Sequence, residues 1–276
     1  MRGRPASSWT GSGNSPPMLD DIVATKQQEI ESAKAALPIE ELKRRVANHL
    51  ADRSFRDAIR VPGKLSLIAE LKRKSPSKGM LRERFDPVSL AQTMAGAGAA
   101  ALSVLTDECY FGGHLDFLRD AKQFTEVPVL RKDFIVDPYQ VYEAAFYGAD
   151  AVLLIVRILT EERLAACMRA ADEVRLEPFV EVHSDAELRA AVRAGAHVIG
   201  INHRDLKTFT MDPTLTERLV PQVPAGKVIV AESGLQTADE VKRMRQLGVH
   251  AVLIGEALMT APDPAAKIRE LFAGTW

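Results

Sequence analysis

Eight short apolar runs, separated by helix-length intervals, constrain the fold of this chain more than any other feature. Their starts recur every 20 to 36 residues, the length of one strand, one helix and their connections. This alternation favours a single (β/α)8 TIM barrel. A doubly wound, Rossmann-like sheet is the alternative, but no G-x-G-x-x-G follows the first run. The runs begin near Leu65, Ala101, Val127, Ala151, Pro178, Val198, Val228 and Ala251.

A glycine repeat supports the barrel. Gly98, Gly148, Gly195 and Gly248 lie 50, 47 and 53 residues apart, and each precedes a strand-like run. Glycine at a helix end readily adopts the left-handed conformation that turns the chain sharply. We therefore expect these glycines before strands two, four, six and eight. The repeat concerns architecture and carries no information on chemistry.

The segment before the first apolar run has helical periodicity. Residues 18–60 carry apolar residues at helical spacing, and Pro38 divides them into two segments. We predict that they form a helical extension of the barrel. The barrel itself is expected to comprise residues 64–276, and the two together form one catalytic domain, residues 18–276. The apolar positions, which need the barrel to cover them, are Leu19, Ile22, Val23, Ile30, Leu42, Val46 and Leu50.

Composition narrows the class of partner. The net charge is -1, so we expect neither nucleic acid nor a membrane surface as partner. The apolar run 149–156 is much shorter than a membrane helix. Two cysteines do not form a disulfide framework, which indicates the cytoplasm. Residues 1–17 lack the apolar core of a signal peptide and are predicted to form a disordered tail. For the whole chain we expect a monomer or weak homodimer.

Several apolar runs end in polar residues or glycine at the same, C-terminal end. Ionisable groups at the end of a buried strand are costly unless paired, so they usually belong to a site. Barrels of this kind place the active site at that end. Two lysines and two acids there allow acid and base roles, and we expect partial desolvation to ease proton transfer by Lys132. The residues collected are Glu70, Lys72, Lys132, Glu181, Asn202, Ser233 and Gly255.

Three loops have the composition of a phosphate cradle. Ser75 begins a Ser-Pro-Ser-Lys-Gly loop after the first strand. Ser233-Gly234 and Gly255-Glu256 follow strands seven and eight, the usual phosphate-binding loops of such barrels. Because a carboxylate repels phosphate, we expect Glu256 to contribute its backbone N–H with its side chain turned away. These loops predict a small phosphorylated substrate.

Other polar residues have weaker signals. The histidines show no H-x-H or H-x-x-x-H spacing, so we expect no metal site. We interpret His183 and His203 as polar loop residues, and Cys109 has no evident base partner. Phe111 and Phe134 follow neighbouring strands, where they could line a pocket or simply pack in the core.

Five motifs in order resemble indole-3-glycerol phosphate synthase. They are Ile68-Ala-Glu-Leu-Lys-Arg-Lys-Ser-Pro-Ser77, Leu130-Arg-Lys-Asp-Phe134, Glu177-Pro-Phe-Val-Glu-Val182, Gly200-Ile-Asn-His-Arg-Asp-Leu206 and Ala231-Glu-Ser-Gly234. The resemblance extends from about Met18 to the C-terminus. It implies a decarboxylating lyase of tryptophan biosynthesis that acts, without a cofactor, on 1-(2-carboxyphenylamino)-1-deoxyribulose 5-phosphate. His114 stands where the resemblance leads us to expect Ser, and His203 varies within its motif; we expect neither to affect an assigned role.

The resemblance also implies roles. Lys132 is expected to be the general acid and Glu181 the general base. Lys72 is expected to pair with the substrate carboxylate, while Glu70 and Asn202 orient the reacting groups. The expected binding residues comprise an apolar slot for the aromatic ring, a supporting arginine and a phosphate cradle: Phe111, Phe134, Leu153, Leu206, Arg204, Ser75, Ser233, Gly234, Gly255 and Glu256.

Two other functions stay open at this point. A sugar-phosphate isomerase of the same barrel type, such as phosphoribosylanthranilate isomerase, would need a Cys/Asp acid–base pair at strand ends. A non-catalytic phosphate-binding barrel would not need Lys132 and Glu181 to face one pocket.

Overall fold

The computed structural model describes residues 19–47 and 52–275. Within this part of the chain, eight parallel strands close into a barrel in which each strand pairs with its neighbours along the chain and the last strand pairs with the first. The predicted TIM barrel is therefore confirmed. The strands are β1 Ser66–Leu71, β2 Ala101–Leu105, β3 Val129–Lys132, β4 Ala151–Ile155, β5 Glu177–Val182, β6 Val198–Asn202, β7 Val228–Glu232 and β8 Ala251–Ile254. A two-stranded hairpin, Lys74–Ser75 and Gly79–Met80, follows β1.

Helices between the strands cover the outside of the barrel with their apolar faces. His114 begins one of them: its ring Nδ1 accepts a hydrogen bond of 3.0 Å from the Asp116 N–H, a role that a Ser hydroxyl often fills. The helices are α4 Pro87–Gly96, α5 Leu115–Phe124, α6 Pro138–Phe146, α7 Glu161–Glu173, α8 Asp185–Arg193, α9 Leu215–Leu219, α10 Ala238–Gln246, α11 Glu256–Thr260 and α12 Pro264–Leu271, numbered after three in the extension.

The glycine repeat has the predicted place and conformation. Gly98, Gly148, Gly195 and Gly248 precede β2, β4, β6 and β8, with φ of 104°, 84°, 86° and 81°. Side chains rarely adopt this left-handed region, which explains why glycine recurs at the turn from helix to strand.

In its described residues, 19–47 and 52–60, the N-terminal extension has three helices rather than the two segments predicted. They are α1 Leu19–Ala36, α2 Ile39–Val46 and α3 Phe55–Ile59. Five of the predicted apolar positions are buried, and Val23 is half-buried. The buried ones are Leu19, Ile22, Ile30, Leu42 and Val46. Leu50 and the predicted tail lie outside the described residues.

Helix α3 packs against the N-terminal ends of the barrel strands. The Ser54 hydroxyl begins it by accepting a hydrogen bond from the Asp57 N–H at 3.2 Å. Phe55 and Ile59 are buried together with residues of the barrel interior. The ring of Phe55 meets that of Phe179, near the start of β5, edge-on at 6.3 Å between centroids. The short helix thus closes the end of the barrel opposite the predicted site.

Phe55→Ala should destabilise the protein by about 3–5 kcal/mol, because it leaves a cavity between α3 and the barrel interior. Urea unfolding followed by circular dichroism measures this change. Phe124→Ala, at an exposed phenylalanine of α5, is the matched control and should change stability by less than about 1 kcal/mol. Equal losses in the two variants would contradict the role assigned to α3.

Candidate active site

One open cavity at the C-terminal ends of the strands collects the predicted site residues. Its empty volume is about 1020 Å³, including the open mouth. The strand ends supply its floor, and the loops after β1 and β6 supply its walls. Its lining includes Glu70, Lys72, Ser75, Phe111, Lys132, Phe134, Leu153, Glu181, Asn202, Arg204, Leu206, Ser233, Gly234, Gly255 and Glu256.

Lys132 lies at the centre of the cavity floor. Its Nζ is 3.0 Å from Glu181 Oε2 and 2.5 Å from Glu232 Oε2. Burial alone would lower the pKa of Lys132, but the charges of Glu181, Glu232 and Glu70 outweigh it and raise the pKa. The expectation that desolvation would ease proton loss from Lys132 is therefore wrong. The ammonium is charged throughout the neutral range, which is the starting state that a general acid needs.

The two carboxylates that hold Lys132 differ in proton affinity. Burial raises the pKa of Glu232 to about 8, although Lys132 opposes the shift. Burial also acts on Glu181, but Lys132 and His183 overcome it and bring the Glu181 pKa below its usual range. Glu232 Oε1 is buried and accepts no hydrogen bond within the described residues. Near neutral pH, Glu181 is therefore the ionised carboxylate, and Glu232 is the one that takes up a proton.

Two glycines provide the space for the acidic side chains. Glu70 Oε2 accepts a hydrogen bond of 2.5 Å from Lys72 Nζ, as the alternation of side chains along a strand allows for residues two apart. A Cβ on Gly255 would lie only 2.1 Å from Glu70 Oε2, and one on Gly200 only 2.3 Å from Glu232 Oε1. Gly255 was assigned to phosphate from the sequence; the structure adds that it leaves room for Glu70.

The loop after β7 contains two consecutive left-handed residues. Ser233 has φ 69° and Gly234 has φ 79°, and a non-glycine residue in this region is strained by about 1–2 kcal/mol. His203 supports the strained residue: its Nδ1 donates to the Ser233 carbonyl at 3.0 Å, and its Nε2 accepts from the Thr216 hydroxyl at 2.6 Å. Burial lowers the pKa of His203, which keeps the neutral ring that this pattern requires. The sequence did not predict this contact between His203 and an assigned residue.

Glu256 interacts with two cations at the mouth. Its Oε1 is 3.7 Å from Lys78 Nζ and its Oε2 is 3.6 Å from Arg204 Nη2. The side chain therefore contacts two loops of the cavity mouth. Asn202 shapes the Arg204 loop, since its Oδ1 accepts a hydrogen bond of 3.0 Å from the Arg204 N–H.

An aromatic slot lies on the opposite wall. The rings of Phe111 and Phe134 are 5.9 Å apart between centroids and tilted by 39°. Leu153 and Leu206 belong to the same apolar cluster. Its walls are the kind of apolar surface that packs on a planar ring.

A buried lysine from the extension holds both aromatic loops. Lys26 Nζ is 3.1 Å from Asp107 Oδ2 and 2.9 Å from Asp133 Oδ1. Asp107 Oδ1 also accepts the Phe111 N–H at 3.1 Å, and Asp133 Oδ1 accepts the Phe134 N–H at 2.8 Å. Helix α1 is therefore connected through charged contacts to both walls of the slot.

Three residues of this arrangement were missed from the sequence. Glu232 ends an apolar run just as Lys132 does, so the strand-end pattern includes it. His183 follows Glu181 by two residues, the spacing that placed Glu70 beside Lys72. Lys26 lies four residues from both Ile22 and Ile30, on the buried face of α1. In each case a local sequence pattern indicated that the residue belongs with the site or the buried face.

Metal-binding clusters and membrane-spanning helices are both absent from residues 19–47 and 52–275. In these ranges, no three or more His, Cys, Asp or Glu residues are grouped so that they could hold a metal ion. Nor does any helix there combine the length and apolar character needed to cross a bilayer.

Comparison with known proteins identifies relatives over nearly the whole chain. The family model described as indole-3-glycerol phosphate synthase matches residues 19–271. A protein of that name from Roseiflexus castenholzii (strain DSM 13941 / HLO8) is 46% identical over 262 residues, covering 92% of this chain and 97% of the relative. Another from Dehalococcoides mccartyi (strain CBDB1) is 45% identical over 258 residues, covering 92% and 99%.

Solved structures support the fold alone. A 3-hexulose-6-phosphate synthase from Salmonella typhimurium aligns with a TM-score of 0.61 at 18% identity, covering 75% of this chain and 96% of that one. KGPDC from Streptococcus mutans aligns with a TM-score of 0.59 at 15% identity, covering 75% and 94%.

Gly255→Ala should lower turnover by about a hundredfold, because the new Cβ displaces the Glu70 carboxylate and misplaces its partner Lys72. Gly96→Ala, at a glycine of α4 with open space around its Cα, is the control and should leave turnover unchanged. Steady-state kinetics of the two variants, with melting curves to verify folding, make the comparison. Full activity of a folded Gly255→Ala variant would contradict the conclusion that Gly255 is needed to leave room for Glu70.

Proposed function

The chain belongs to the indole-3-glycerol phosphate synthase family, and we propose how its barrel mouth carries out the reaction. The substrate is 1-(2-carboxyphenylamino)-1-deoxyribulose 5-phosphate, and the products are indole-3-glycerol phosphate, CO2 and water. The observation that carries the proposal is the convergence of Lys132, Glu181 and Lys72 on the floor of one cavity, beside an apolar slot and phosphate-type loops.

Lys132 acts as the general acid in ring closure. The ring carbon that bears the carboxylate attacks the ribulose carbonyl, and Lys132 protonates the carbonyl oxygen as the new carbon–carbon bond forms. Loss of CO2 then returns the electron pair to the ring. Glu232, 2.5 Å from Lys132 Nζ, is placed to return a proton to the lysine, since its pKa is raised to about 8.

Glu181 acts as the general base in the dehydration that follows. It removes the proton whose loss completes the aromatic indole, and the hydroxyl formed from the carbonyl leaves as water. Lys72 pairs with the substrate carboxylate until it leaves as CO2, then donates a proton to the departing hydroxyl. Glu70 fixes Lys72 through their 2.5 Å contact, and Asn202 orients the reacting amine or hydroxyl groups.

The remaining pocket residues bind the two ends of the substrate. The aromatic ring lies in the slot of Phe111, Phe134, Leu153 and Leu206, with Arg204 supporting the ring-closing arrangement. The phosphate lies against the loops after β1, β7 and β8. Ser75, Ser233, Gly234, Gly255 and the backbone of Glu256 form this cradle. Arg204 and Lys78, which contact the Glu256 carboxylate, offset the repulsion that we noted from the sequence.

The isomerase alternative is less well supported. Cys109 and Cys167 are both buried, and neither lines the cavity. Burial also raises the pKa of Cys167 to about 12, which leaves it unreactive. Free thiols at both positions agree with the proposed cytoplasmic location. Monomer or weak homodimer remains our prediction for the assembly.

Lys132→Ala and Glu181→Gln should each lower turnover by at least about a hundredfold, the scale of a positioned acid or base. Substrate affinity should change far less, because the ring and phosphate contacts remain. Indole absorbance, followed after mixing with the carboxyphenylamino-ribulose phosphate, measures turnover. Lys267→Ala, on the outer helix α12, is the control. A wild-type protein that binds the substrate but forms no indole would instead support the non-catalytic binding barrel.

The reaction should proceed in excess chelator and without added nucleotide. The substrate ketone becomes electrophilic once Lys132 protonates it, so no metal or redox step is required. The measurement is the same absorbance assay after dialysis against chelator. Loss of activity that one specific metal ion restores would overturn this prediction.

A further inference from the structure

A buried histidine outside the proposed chemistry contacts the proposed base. His183 is buried just beyond the end of β5. Its Nε2 lies 3.2 Å from Glu181 Oε1, and its Nδ1 lies 3.1 Å from Glu187 Oε2. The imidazole therefore sits between two carboxylates, one in the cavity and one on α8.

The outer carboxylate is itself anchored. Glu187 Oε2 also accepts the His183 backbone N–H at 2.8 Å, and Glu187 Oε1 accepts Arg157 Nε at 2.9 Å. Arg157 Nη1 in turn lies 2.5 Å from Asp205 Oδ2, in the loop that carries Arg204 and Leu206. A continuous series of charged contacts thus extends from the cavity floor to the wall formed by the loop after β6.

The geometry requires a particular charge state of the ring. Nδ1 faces a carboxylate that is paired with Arg157, so Nδ1 carries a proton. Nε2 and Glu181 Oε1 are 3.2 Å apart without a hydrogen bond between them, and at that distance a bare Nε2 would place its lone pair beside a negative charge. A proton on Glu181 would remove that conflict, but Lys132 at 3.0 Å favours the ionised form of Glu181.

We propose that His183 is a positioning residue which, as an imidazolium fixed by Glu187, holds Glu181 ionised and aimed at the cavity. The inference rests on the proposed role of Glu181 as general base. It explains how two carboxylates that contact the same lysine differ in charge: Glu181 has a second cation beside it, whereas no second ion pair forms at Glu232 among the described residues.

Electrostatics around the ring supports this assignment. Burial disfavours the charged ring, yet Glu181 and Glu187 raise the pKa of His183 to about 9. Lys132 and Arg157 contact the other oxygen of each carboxylate, Glu181 Oε2 and Glu187 Oε1. The imidazolium should therefore persist through the neutral range.

The first measurement determines the protonation state of the His183 ring. Long-range proton–nitrogen spectra of the ¹⁵N-labelled protein at pH 7.5 should show both nitrogens of His183 protonated, with signals assigned by their loss in His183→Gln. The ring should titrate near pH 9. A ring with one bare nitrogen at pH 7.5 overturns the proposal, whatever reaction the protein catalyses.

The second measurement is the pH profile of kcat/KM for indole formation. In His183→Gln the Glu181 pKa rises, so the acidic limb should move to higher pH by about one unit or more, the scale of one adjacent opposite charge. KM at the optimum should change little. Glu187→Gln should shift the limb less and in the same direction, because the ring remains but its anchor is weakened. His197→Gln, at an exposed histidine before β6, is the control and should match wild type.

The outcomes separate this inference from the proposed function. Wild-type protein without indole-forming activity refutes the function, while the spectra still decide the charge on His183. An active, folded His183→Gln variant with an unshifted acidic limb refutes the positioning role alone. Should His183→Gln fail to fold, Glu187→Gln supplies both the kinetic shift and the displaced imidazole signals for assignment, and an unshifted limb there is the refuting result.

Discussion

The contact of Lys132 with two buried carboxylates is the interaction on which the rest of the site depends. An ion inside a barrel loses several kcal/mol of hydration, which only close opposite charges can replace. One lysine between Glu181 and Glu232 leaves an excess of negative charge. A proton on Glu232, whose pKa is raised to about 8, removes this excess, and His183 lies beside the carboxylate that stays ionised. Removing either carboxylate would therefore alter the proton affinity of every remaining member.

The space for these charges comes from the barrel wall. Two small residues, Gly200 and Gly255, leave room for the side chains of Glu232 and Glu70. Barrel interiors are usually filled by branched apolar side chains in layers, so a glycine in a strand or just after it marks a place where another group enters. The acidic side chains can therefore occupy the cavity floor because these two positions are glycines.

Much of the fold and site follows from sequence because the relevant signals are local. Strand spacing and the glycines at helix ends specify the barrel, and its topology brings distant strand ends together. The pattern that predicted Lys132 also contains Glu232, and the two-residue spacing that paired Glu70 with Lys72 also links Glu181 with His183. What sequence could not supply is the sign of the Lys132 pKa shift. It depends on which charges face the ammonium, and that is a property of the assembled floor. Helix α3 was also hidden, because five residues are too few for a periodic pattern.

The N-terminal extension acts at both ends of the barrel, by different means. Helix α3 contributes apolar packing through Phe55 and Ile59, so its loss would act on stability. Helix α1 instead presents Lys26, whose charge is paired with Asp107 and Asp133 beneath the aromatic slot. Removing that ammonium would take the cation from Asp107 and leave Asp133 with Arg131. Both carboxylates accept the backbone N–H groups that hold Phe111 and Phe134 in place. Helix α1 therefore controls the shape of the slot, and the extension belongs to the active site as much as to the fold.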